Sequence, residues 1–191
     1  MCYSARISIG TFVFATAVAG WVLRREPALA VTFVAITLMQ LVEYFIWIDQ
    51  KCGWINKLAT SAIVPILKLQ PLAIALAVWY FRAGLLPSVL YIVIALIVSL
   101  ELVQALRDAY TNYGGCTRPG IDGRLVWDAV SWKKNQNGYY IAMIALFATM
   151  RPIIVTWPLL ALYTLTYHMS SGPSVWCNTV NACAAWALIA A

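Results

Sequence analysis

Apolar residues run along this chain in long blocks separated by short polar patches, and block length rather than any period-two alternation sets the expected elements. The first block, 7–23, ends at Arg24-Arg25-Glu26; the next three cover 28–48, 58–81 and 88–106. Each comes close to the roughly 20 apolar residues that an α-helix needs to cross a hydrocarbon core about 30 Å thick. The third block holds Pro65 and Pro71, which predicts a kinked helix whose freed carbonyls are satisfied by neighbours. Beyond Gly138, the blocks 139–150 and 153–169 are short and divided only by Arg151-Pro152. They read as two thin or tilted helices meeting at a tight turn; a single broken helix is the alternative and leaves six spans in place of seven. A last block covers 174–191.

The polar stretch 107–137 is the one long loop. Gly114-Gly115, Pro119-Gly120 and Asp122-Gly123 mark turns in it, and Arg124-Leu125-Val126-Trp127 with Trp132 could form a short hairpin or an interfacial lid. No internal repeat or linker interrupts the pattern. The expected architecture is all-α: a polytopic transmembrane helical bundle of about seven spans, forming a single transmembrane domain over 1–191.

Composition sharpens this reading. Hydrophobic residues make up 63% of the chain and charged residues 10%, a balance that a soluble domain does not need. The net charge of +6 could suit nucleic acid, but the basic residues are scattered over loops without a stripe of stacking aromatics. Membrane lipid, not nucleic acid, is therefore the expected partner. The first block starts almost at once and ends in charges rather than at a small-residue cleavage site, so it is expected to remain as a span. Trp21, Trp47, Trp79, Tyr80, Tyr139 and Tyr140 fall near block ends, as interfacial belts do.

Two topology arguments collide. With seven spans, one side of the bilayer, here side A, receives the N-terminus, the second-to-third loop, the long loop and the sixth-to-seventh loop. It carries Arg6, Lys51, Lys57, Arg107, Arg118, Arg124, Lys133 and Lys134, against Arg24, Arg25, Arg82 and Arg151 on side B. Counted over all loops, the positive-inside rule makes side A cytoplasmic; the flanks of the first span argue the reverse. The cysteines support the reverse, because Cys2, Cys52, Cys116 and Cys177 all fall at side A and only Cys183 lies within a span. Two disulfides, Cys2 to Cys177 and Cys52 to Cys116, would explain that segregation and would place side A, with the N-terminus, in an exoplasmic or lumenal compartment. Four unrelated thiols are the plain alternative. A metal site is disfavoured, since there is no Cys-x-x-Cys and His168 is the sole histidine.

Three stretches carry a resemblance: Met1-Cys2-Tyr3-Ser4-Ala5 at the start, Gln40-Leu41-Val42-Glu43-Tyr44 with Trp47 in the second span, and Pro173-Ser174-Val175-Trp176-Cys177 opening the last. Together they resemble a family of small multi-span membrane proteins of bacteria and large DNA viruses that open Met-Cys-aromatic-Ser and begin the final helix with Trp-Cys. The resemblance touches both ends and the second span. It implies the same architecture and strengthens the Cys2 to Cys177 link without implying a reaction.

Any chemistry should lie with ionisable groups inside the apolar blocks, since each costs about 2.5–3.5 kcal/mol at a helix centre on insertion scales. There are three: Glu43, Lys68 and Glu101. Counted from the block ends at about 1.5 Å per residue, the two glutamates lie roughly 8 Å below side A and the lysine roughly 15 Å. All three could share a cavity opening to side A. Gln40 and Gln104 stand three residues from Glu43 and Glu101, each on its carboxylate's helix face, while Gln70 is two past Lys68 and on another face. Such a cluster is either a proton or cation site or a charge-balanced network that only orients helices.

The favoured reading is a small channel or carrier whose pathway is lined by Glu43, Lys68 and Glu101, conducts protons or cations, and could be completed by homo-oligomerisation. A non-transporting scaffold or sensor with a disulfide-closed face is the second reading. A membrane-embedded enzyme ranks last, because no nucleophile, base and orienting group converge. No cofactor is expected. Arg151 reads as a turn anchor on side B, and His168 as an interfacial residue.

Overall fold

The computed structural model describes residues 4–111, 113–121, 123, 125–126, 132–167 and 172–190. Among them are seven α-helices: α1 (Ala5–Val22), α2 (Pro27–Ile48), α3 (Trp54–Tyr80), α4 (Ser88–Thr111), α5 (Trp132–Thr149), α6 (Ile153–Tyr167) and α7 (Gly172–Ala190). Four of them, α1 to α4, are long and apolar enough to cross a membrane. The later three carry shorter apolar stretches: α6 has 15 residues, and α5 and α7 are apolar over 138–149 and 180–190.

Local chemistry sets the helix ends. Ser4 caps α1, its hydroxyl accepting from the Ile7 N–H at 3.3 Å, so the helix starts before the apolar block does. Pro27 opens α2 at a position where a missing N–H costs nothing. Residues 107–111, expected in the long loop, continue α4, and Trp132 already belongs to α5. Polar residues there do not end the helix, since its backbone hydrogen bonds are internal and hold among polar side chains as well. Within the shortened connection, Arg118–Pro119 (β1) pairs antiparallel with Leu125–Val126 (β2), in the register Arg118 to Val126 and Pro119 to Leu125. Of the stretch expected to form a hairpin or a lid, Leu125–Val126 is thus paired with Arg118–Pro119, Trp132 lies in α5, and Arg124 and Trp127 lie outside the described residues.

Both prolines of the third block sit inside α3, which runs through them without interruption. The blocks after Gly138 do form two helices, divided at Arg151-Pro152, because the residue before a proline is driven out of helical geometry. Pro158 within α6 frees the Ile154 carbonyl, and the Trp186 indole of α7 takes it at 2.9 Å. A neighbouring helix thus meets the acceptor that the proline orphans.

Packing follows chain order along α1, α2, α3 and α4. Then α5 lies against α3 and touches α4, α6 joins α5, and α7 closes onto α6, α1 and α2. On side B the turn after α3 is stitched to the turn after α5: Leu85 N–H donates to Thr149 O and Arg151 N–H to Ala83 O, both at 2.7 Å. Gly84 allows this close approach, because a Cβ there would run into the ring of Tyr91. The Arg151 side chain is exposed in that turn.

Candidate functional site: an ion pair at mid-helix

Lys68 and Glu101 meet directly. The Lys68 ammonium donates to Glu101 Oε2 at 2.6 Å, with the lysine 2% and the glutamate 34% exposed. Their depths explain the pairing. Lys68 lies 12 residues from the side-B end of α3 at Tyr80, and Glu101 lies 13 from the side-B end of α4 at Ser88. At 1.5 Å per residue these are about 18 and 20 Å, level to within half a turn. Opposite charges at one level of the bundle largely offset the cost that each would carry alone among apolar side chains.

Gly138 of α5 forms the floor of the carboxylate. A Cβ built there would overlap Glu101 Oε1, so α5 can approach α4 only because residue 138 has no side chain. Gly138→Ala should move the Glu101 carboxylate off Lys68 and destabilise the fold by up to about 1 kcal/mol, because the atom it meets is the end of a flexible, partly exposed side chain. Thermal unfolding in a fixed detergent would measure it, and an unchanged midpoint would contradict the contact.

The remaining polar groups within the apolar helices divide between faces. Gln70 is about 200° around α3 from Lys68 and points the other way. Its amide donates to Ile36 O of α2 at 3.3 Å and its carbonyl accepts from Tyr139 Oη of α5 at 2.6 Å. Gln40 and Glu43 are buried on α2, 1% and 2% exposed. Helix α2 packs on α3, whereas α4 lies along α3 through the face that carries Lys68. Gln104 is exposed and donates to Asp108 Oδ1 at 2.8 Å. Glu101 already sits at the rim of the bundle, so three further residues carry the glutamine out of it. The structure therefore brings together Lys68 with Glu101, and separately Gln70 with Tyr139.

At the α2–α3 turn the expected Cys52–Cys116 link is present, beside a polar assembly of Asp49, Asn56, Thr60 and Thr117 that sequence reasoning missed. Cys52 and Cys116 are disulfide-bonded, with 5.7 Å between their Cα atoms. Beside them the buried Asn56 side chain pairs with the backbone of Thr117 as another peptide group would, donating to Thr117 O at 3.0 Å and accepting from Thr117 N–H at 3.1 Å. Thr60 Oγ1 also accepts from the Thr117 N–H, at 3.0 Å. Asp49 caps α3, its carboxylate accepting from the N–H groups of Gly53 and Asn56 at 3.0 Å each. Asp49-x-x-x-Gly53-x-x-Asn56 is the only local signal for this; the partner Thr117 is 61 residues away from Asn56. Cys2, the Cys177 side chain and His168 lie outside the described residues. Cys183 is a buried free thiol in α7, and no group of three or more His, Cys, Asp or Glu side chains placed to hold a metal occurs among the described residues.

Compared with family models, with curated proteins and with solved structures, the chain matches none.

Proposed function

We propose that this chain is a small membrane channel or carrier for protons or cations, with all seven helices crossing the bilayer and the Lys68–Glu101 pair at the centre of the pathway. The observation that carries this reading is the asymmetry of the pair: a buried ammonium held against a carboxylate that stays 34% exposed, both near mid-helix. Intramembrane charges are costly and mark ion or proton pathways by default. In this arrangement Lys68 is the fixed charge and Glu101 the exchanging one. A proton or cation arriving on the open side of Glu101 competes with the ammonium for the carboxylate, so binding there loosens the contact between α3 and α4. Helices α5 and α7, of 18 and 19 residues, reach about 27–29 Å, and α6, of 15, about 22 Å. Local thinning of the bilayer accommodates the shorter helix. The Cys52–Cys116 disulfide supports an exoplasmic or lumenal side A, and with it an N-terminus on that side.

Flux into liposomes tests this reading. Wild type should pass protons or a monovalent cation, and Glu101→Gln, which keeps the shape and removes the charge, should abolish the flux. Equal leak through wild type and variant would end the proposal. A second reading, a non-transporting scaffold that presents a rigid face to a partner, is favoured by the disulfide and the Asn56–Thr117 pairing on side A. It predicts no specific flux in either protein.

The resemblance of Met1 to Ala5, Gln40 to Tyr44 and Pro173 to Cys177 to a family of small multi-span membrane proteins supports the architecture in this proposal. It adds nothing to the choice of transported species.

A further inference from the structure

Two arginines stand close together on side B with no carboxylate beside them. The turn after α3 and the turn after α5 are joined by main-chain hydrogen bonds, one of them from the Arg151 N–H to Ala83 O, and the residue before Ala83 is Arg82. Residues opposite each other in such a pairing lie about 5 Å apart, so the two arginine Cα atoms are within about 9 Å of each other. The buried Tyr91 ties the turns together again: its hydroxyl accepts from the Leu86 N–H at 3.3 Å and donates to Thr149 O at 3.2 Å. Both arginine side chains are exposed, and neither forms an ion pair with a described residue. The only acidic residue in the three side-B turns is Glu26, in the turn after α1.

Arg82 is also held there against its backbone preference. Helix α3 closes with the Ala83 N–H on Val78 O at 3.0 Å and the Arg82 N–H on Trp79 O at 3.3 Å, the two bonds of a Schellman turn, with Arg82 at φ 54° in the left-handed position. Glycine is the usual occupant of that position, because a Cβ there is strained. The favourable field of a helix C-terminus would serve a cation equally well one turn earlier, without the strain. Exposed apolar side chains flank the two arginines: Tyr80, Phe81, Leu85 and Leu86 in and around the first turn, and Ile153 and Ile154 at the start of α6.

We infer that Arg82 and Arg151 form a clamp for the phosphate of an anionic phospholipid in the side-B leaflet. Two like charges fixed this close repel, and an anion between them replaces the repulsion with two charge-assisted contacts. Guanidinium suits the task, since its planar fork matches phosphate oxygens. The apolar flanks select a lipid over a free ion, because acyl chains cover Phe81, Leu85 and the isoleucines while the headgroup stays at the arginines. A zwitterionic lipid is disfavoured, because its own ammonium would be brought up against the pair. The inference rests on the chain spanning a bilayer, which is part of the reading above, and not on transport.

Lipid binding to the full chain in a neutral detergent, read by native mass spectrometry of the protein–lipid complex, tests the clamp. Phosphatidylglycerol should bind more tightly than phosphatidylcholine with the same acyl chains. Arg151→Gln should weaken phosphatidylglycerol binding about fivefold, the effect of one surface arginine on anionic lipid. Arg82→Gly should weaken it as much and yet raise the unfolding midpoint measured without lipid, because glycine relieves the left-handed position. A residue that served only the fold would not separate those two readouts. Arg24→Gln, at an exposed position in the turn after α1, should bind like wild type. Equal affinity for the two lipids, wild-type affinity in both Arg82→Gly and Arg151→Gln, or displacement of phosphatidylglycerol by an equal concentration of inorganic phosphate overturns the inference. Carbonate washing of membranes tells the failures apart: a chain that stays in the membrane and fails these tests loses the clamp alone, whereas one that is washed out loses the membrane reading and the clamp with it.

Discussion

Replacing Lys68 by methionine should destabilise this protein by about 3–5 kcal/mol, and adding Glu101→Leu to the same chain should recover most of the loss. The asymmetry comes from desolvation. The single change leaves a carboxylate at mid-helix depth without its ammonium, whereas the double change leaves two apolar side chains of suitable size. Because Glu101 keeps 34% of its surface open, the single change should fall in the lower half of that range. Unfolding midpoints of the three proteins in one detergent decide the matter; a double variant no more stable than Lys68→Met would show that the pair is not the unit of stability. The same series separates structure from transport. A double variant that is stable but passes no ions is what the channel reading expects, while full flux without either charge would leave the pair as helix glue.

The second large effect is expected from the side-A disulfide. Cys52 and Cys116 are 64 residues apart, and closing a loop of that size is worth about 4 kcal/mol when the unfolded chain is free. Helices α3 and α4 remain held by the bilayer after tertiary contacts are lost, which shortens the free part of the loop and brings the expected effect down to about 2–4 kcal/mol. Cys116→Ser should therefore lower the unfolding midpoint and expose the hairpin over 118–126 to protease, and reduction of the wild type should do the same. Asn56 would still hold Thr117, so the loss of order should be partial. If neither the midpoint nor the cleavage pattern changes, the hairpin is fixed by Asn56 and Thr60 alone.

Block length and proline placement made much of the architecture legible. A run of about 20 apolar residues has one low-cost solution in hydrocarbon, a helix that satisfies its own backbone, so α1 to α4 were readable without any knowledge of neighbours. The division at Arg151-Pro152 was equally local. What failed was the end of α4: apolarity is a signal for bilayer, and Arg107 and Asp108 are compatible with helix once outside it. Counting from the side-A block ends placed Glu101 nearer to Glu43 in depth than to Lys68, whereas counting from the opposite helix ends, Tyr80 and Ser88, sets Glu101 level with Lys68.

The sequence by itself determined that ionisable groups lie within apolar helices, because that follows from residue type and position along the chain. Which groups meet was decided by tertiary structure. Rotation of α3 points Lys68 at α4 and Gln70 at α2 and α5; Gly138 lets α5 close on Glu101; Asn56 finds Thr117 from 61 residues away. Helix formation is a local balance that a single segment settles, but the angle at which one helix faces another depends on every side chain between them.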